Sequence, residues 1–100
     1  MLGMVKQPRL ATVRMINFND HPVAWALLAY ELSDARDHLD ALVTQMANDK
    51  VIDEIDFRIQ VGHIYSHLNR AWHGRDDQRE DVSQAEWEQR SRFPTDITPV

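Results

Sequence analysis

Two long segments of this chain repeat apolar residues at three- and four-residue steps, and a polar break, Asn48-Asp49, separates them. That spacing is the period of an amphipathic helix, and it excludes the strict alternation of a half-buried strand. In the first segment Ala24, Leu28, Leu32, Ala35, Leu39, Leu42, Val43 and Met46 form one stripe. In the second, Phe57, Val61, Ile64, Tyr65, Leu68, Ala71 and Trp72 share a broad face. Two helices joined by so short a break must run antiparallel. The pattern therefore predicts an all-α fold: an antiparallel helical hairpin, with helices over 22–47 and 51–73.

Local signals set the ends. Asp20 is the expected cap of the first helix, followed by Pro22, whose missing amide hydrogen costs nothing in a first turn. Gly74 stands where a left-handed terminating residue is expected. Ser83-Gln84-Ala85-Glu86 is a capping box and predicts a short C-terminal helix over 84–91. Phe93-Pro94 ends it, because the residue before proline is pushed out of helical geometry. Residues 75–81 read as a charged linker and 94–100 as a tail. Residues 1–19, with the β-branched run Leu10 to Phe18, read as an extended N-terminal arm. One hundred residues fit a single domain, 1–100.

Leu39 and Leu68 lie at the centres of their stripes and are expected in the core. Gly62, in mid-helix, is expected where another segment packs closely. Ile52, Ile55 and Ile59 form a second apolar patch, roughly opposite the main face of the second helix. With Trp87 on the short helix, they are the expected interface residues. A second chain packed there would give a homodimer and complete a four-helix bundle. A different protein partner would use the same surface.

Composition narrows the function classes. The net charge is −5, with two lysines and nine arginines scattered among sixteen acids. Nucleic-acid binding is disfavoured, since it needs a basic patch. The chain has no cysteine, which removes disulfides, thiolate ligands and cysteine nucleophiles. Its serines lack a nucleophile elbow, and its three glycines make no phosphate loop. No apolar run is long enough to span a bilayer, and no signal-peptide core is evident, so the expected location is cytoplasmic.

One constellation has metal-ligand character. Asp56, His63 and His67 share a stripe of the second helix, and the two histidines have the i, i+4 spacing that lets two imidazoles reach one ion. Glu31, Asp34 and His38 form a similar stripe on the first helix. If the stripes face each other, six ligand-capable side chains surround one point, as in carboxylate–histidine bundles. Neither helix carries the Glu-x-x-His pair of those bundles, and HIYSH lacks the glutamate of a zinc peptidase. Acid and histidine side chains also pair on ordinary helix surfaces, for a few tenths of a kcal/mol.

Arg58-Ile59-Gln60-Val61-Gly62-His63 follows an R-φ-x-x-x-H string and resembles the motif of HEPN-type helical ribonucleases. The resemblance implies Arg58 and His63 as a catalytic pair acting across a dimer. The acidic charge opposes an RNA substrate. The leading expectation is thus a non-catalytic interaction or regulatory protein without a cofactor. A helical protein binding a divalent transition metal comes second, and the ribonuclease third.

Overall fold

The computed structural model describes residues 14–79 and 81–99. Among them lie three helices: α1 (Pro22–Asp49), α2 (Glu54–His73) and α3 (Gln84–Arg90). The fold is an all-helical hairpin with a short C-terminal helix. Residues 14–17 are irregular and 18–20 form a turn, while 1–13, most of the expected arm, lie outside the described residues.

The start of α1 differs from the expectation. Asp20 makes no cap. Its amide instead donates to Asn17 Oδ1 at 2.7 Å, and its carboxylate accepts from Asn17 Nδ2. His21 holds the cap position without a side-chain bond to the helix, and Pro22 opens the first turn. The free Ala24 amide finds its acceptor far along the chain, in Gln78 Oε1 at 2.9 Å. The charged linker thus closes the N-terminus of α1.

At its other end α1 terminates on Lys50, whose φ of 61° is left-handed and whose amide returns to Met46 O at 3.0 Å. Gly74 does not have that role: its φ is −100°. The sequence placed the start of α2 too early, because Asp53 is its cap and accepts from the Asp56 amide at 2.8 Å. Ser83 caps α3 as its capping box requires, accepting from the Glu86 amide at 3.1 Å.

The helices meet along a seam whose partners step away from the turn in order. Gln45 meets Asp56 and Gln60, then His38 meets His63 and His67, then Glu31 meets His67 and Arg70. Ala35, Leu42 and Ile64 form the buried apolar cluster, with Ile52 packed against it. The seam therefore runs along the flank of each apolar stripe. Leu39 and Leu68, expected at the core, are 50% and 48% exposed, whereas Leu42 on the flank is 4% exposed. Small residues at Ala24, Ala35 and Ala71 occupy buried positions at this seam and at its far end. Gly62 is not a close-approach site among the described residues either, since a Cβ there would meet none of their atoms within 4 Å.

α3 docks at the end of the hairpin away from the turn. Asn69 Nδ2 donates to Ser91 O at 2.9 Å and Arg70 Nη1 to Ser91 Oγ at 2.8 Å. The Arg70 guanidinium also lies over the Trp87 ring, 4.3 Å from its centre. Asp77, in the linker, pairs with Arg79 and Arg90, and Arg79 reaches on to Glu86. These hydrogen-bonded arginines hold the Asp77 carboxyl far below the usual carboxylate range. The tail returns along α2, where Trp72 Nε1 donates to Asp96 Oδ1 at 2.8 Å.

Candidate metal centre

Residues three, four and seven apart on a helix share a face. On α1 that rule groups Glu31, Asp34 and His38, and on α2 it groups Asp56, His63, His67 and Arg70. The antiparallel register then decides which of them meet. His38, His63 and His67 converge: each offers a ring nitrogen, and these atoms lie within 4.8 Å of one another. The ring centres of His38 and His63 are 4.1 Å apart, those of His63 and His67 4.9 Å, and those of His38 and His67 5.3 Å.

The three imidazoles differ in environment. His67 is buried, His38 is half-buried and His63 is exposed. His67 Nδ1 lies 2.7 Å from Glu31 Oε1. An ionised carboxylate has no proton to give, so Nδ1–H donates to Glu31. Arg70 Nη2 lies 3.1 Å from the same nitrogen. A protonated Nδ1 cannot accept from it, so this contact follows from the adjacent Arg70–Glu31 bond, Nε to Oε2 at 2.9 Å. In the neutral ring the bond from Nδ1–H to Glu31 leaves the lone pair of His67 on Nε2. That atom is buried and has no hydrogen-bond partner among the described residues.

Glu31 therefore plays a role that the sequence pattern did not assign, orienting a histidine from behind in the manner of a carboxylate–histidine–metal triad. Arg70 was missed altogether. Its signal was present, because it lies three residues after His67 on the same face. Asp34 is near enough to His63 to favour its charged form, yet it is not one of the converging ligands. Although His63 is largely exposed, the partial loss of water where its ring lies against its neighbours lowers its pKa, and the adjacent His38, His67 and Arg70 lower it further. The neutral imidazole, the form that binds metals, is favoured there.

The other singled-out residues lie elsewhere. Asp56 belongs to a separate polar group toward the turn, accepting from Gln60 at 3.2 Å and from Gln45 at 3.3 Å. Ile55 and Ile59 are exposed, while Ile52 packs on the core cluster. Trp87 is partly exposed beneath Arg70. Arg58 is exposed and sits roughly 140° around the helix from His63, given about 100° per residue. The two are thus not brought to one point within this chain. A cleft of about 330 Å³, with Tyr30, Glu31, Arg70 and Trp87 in its lining, lies beside the Glu31–Arg70 pair and does not include the histidines.

Among the described residues no helix is long and apolar enough to cross a membrane. Compared with protein-family models, with curated protein sequences and with solved structures, the chain matches none.

Proposed function

We propose that this chain binds a divalent transition metal of the zinc type through His38, His63 and His67, with Glu31 holding His67 in its ligating tautomer. The observation that carries this reading is the buried Nε2 of His67, which has no partner among the described residues and lies beside two further imidazoles. A buried polar atom without a partner costs about 1–3 kcal/mol. An ion at the centre of the cluster would satisfy it and give the three contacting rings a common purpose.

Ligand chemistry agrees. Neutral imidazoles suit zinc, cobalt, nickel and copper. A tetrahedral ion with bonds of about 2.0–2.1 Å holds its ligand atoms roughly 3.3 Å apart. The present spread of 4.8 Å or less then requires a closure of about 1–1.5 Å. His63, exposed and on a helix surface, has room for that movement. Three protein ligands leave a fourth position open to solvent, as in catalytic and exchangeable sites. The ion would also tie α1 to α2.

Thermal denaturation of untagged protein tests the reading. Zinc at about 100 times its dissociation constant should add ~2.7 kcal/mol of stability. The gain should vanish in His63→Ala and persist in Asp56→Ala. Absence of any shift with zinc, cobalt or nickel would contradict the proposal.

A further inference from the structure

We propose that the apolar face made jointly by α1 and α2, with Leu39 and Val61 near its middle, is the contact surface for a second copy of this chain. The product is a two-fold four-helix bundle that carries its histidine clusters away from the contact. This inference is independent of the metal reading.

The face consists of side chains that the hairpin leaves half in water. Leu32, Leu39 and Val43 on α1 are 47–57% exposed, and Phe57, Val61 and Leu68 on α2 are 40–48% exposed. At about 100° per residue each trio shares one side of its helix. Leu32 and Leu68 line a common groove, so the two trios open on the same side of the seam. Ile16 and Ile97 reach that groove from the chain's own ends, at the Leu32 end of the face. The remaining stretch, around Leu39, Val43, Phe57 and Val61, has no cover among the described residues.

Area and symmetry name the occupant. The six side chains leave on the order of 500–600 Å² exposed, before Met46 and the polar rim are added, against about 800 Å² per partner in a stable interface. Such a patch is at the upper limit for a typical monomer. Meanwhile the buried apolar residues among those described are Ala24, Ala35, Leu42, Ile64 and Ala71, three of them alanines, which is a thin core for a chain of this length. A two-fold contact presents each stripe to an equal stripe, so no apolar surface is left unmatched. Arg36 shares the α1 stripe and Glu54 the α2 stripe, the latter at the turn end, while the middle of the face around Leu39 and Val61 carries no acid. The net charge of −5 therefore does not set acid against acid at its centre.

The proposed contact differs from the Ile52, Ile55 and Ile59 patch that the sequence suggested. Ile52 is already packed on the core, and Ile55 and Ile59 are left as an exposed pair flanking Asp56.

Sedimentation of the full chain at micromolar concentration should give twice the 11.7 kDa monomer mass. Leu39→Glu should weaken association roughly 100-fold or more by placing a charge in the contact, while Ile55→Glu leaves it unchanged. Circular dichroism checks that each variant is helical. Because the chain has no cysteine, Val43→Cys and Ile55→Cys each carry one spin label without adding a charge. The Val43 pair should show the shorter interspin distance, and this reading stands even if Leu39→Glu unfolds. A folded monomer, dissociation by Ile55→Glu with Leu39→Glu unaffected, or a shorter Ile55 distance would each overturn the proposal.

Discussion

Replacing Glu31 with glutamine keeps the shape of the side chain and removes its charge. Glu31 accepts two close bonds, from His67 Nδ1 at 2.7 Å and from Arg70 Nε at 2.9 Å. Arg70 is 8% exposed and His67 7%, so water cannot take over either donor in place. Breaking a fully buried ion pair costs about 3–5 kcal/mol. Three features reduce that figure here: Glu31 is itself partly exposed, glutamine retains one carbonyl acceptor, and Arg70 keeps its bond to Ser91 and its stacking on Trp87. The loss of one charge-assisted hydrogen bond, about 1.5–3 kcal/mol, is the dominant remaining contribution. Urea denaturation of metal-free Glu31→Gln should therefore show stability lowered by about 2 kcal/mol. The midpoint of thermal unfolding should fall by roughly 8–15 °C for a domain of this size. A second readout separates packing from ligand orientation: zinc affinity should fall about 10- to 100-fold, as expected when a carboxylate behind a ligating histidine is lost. A stability change below about 0.5 kcal/mol together with unchanged zinc affinity would refute the reasoning.

Three further perturbations follow from the fold. Gly62→Ala should stabilise the protein by about 0.5–1 kcal/mol in urea denaturation, because the added methyl meets open space and the helix gains propensity. Gln78→Ala should cost about 1 kcal/mol and speed hydrogen exchange at the Ala24 amide, which loses its acceptor. The depressed Asp77 carboxyl stabilises the folded state above its unfolded pKa near 4, and that contribution is lost as pH falls below about 4 toward the lower folded value. Urea denaturation should accordingly show stability falling as the pH drops below about 4. In Asp77→Asn that acid-dependent loss should be smaller, the remainder coming from Glu86 and Asp96, whose carboxyls are also held low by Arg79 and Trp72.

The helices were legible because their information is local. Apolar spacing, Pro22 and the Ser83–Glu86 box act within a turn or two, and each is present as read. The errors lie where a distant segment intervenes. Asp20 was the obvious cap for α1, but Gln78, 54 residues from Ala24, supplies the acceptor instead. Leu39 and Leu68 were placed in the core because a stripe has an evident centre. The rotation of two helices about their axes is not written in either stripe, and here alanines let the flanks approach. The candidate site followed the same division. Periodicity put three histidines and three acids on two helix faces. Only the register brought the imidazoles together, turned Glu31 onto the back of His67 and left Asp56 with Gln45 and Gln60. Arg70 was invisible as a site residue because its partners come from two distant stretches of chain, Glu31 on α1 and Trp87 with Ser91 on and just after α3.

Cobalt(II) absorption tests the central claim most directly, because its visible bands report the number and geometry of nitrogen ligands. Titration of untagged protein with cobalt should saturate at one ion per chain, with bands of an imidazole-ligated, four-coordinate ion, and zinc should displace it. His63→Ala, which removes an exposed side chain and leaves the helices folded, should abolish those bands. A featureless titration, or bands that survive His63→Ala unchanged, would contradict the assignment of His38, His63 and His67 as a metal site.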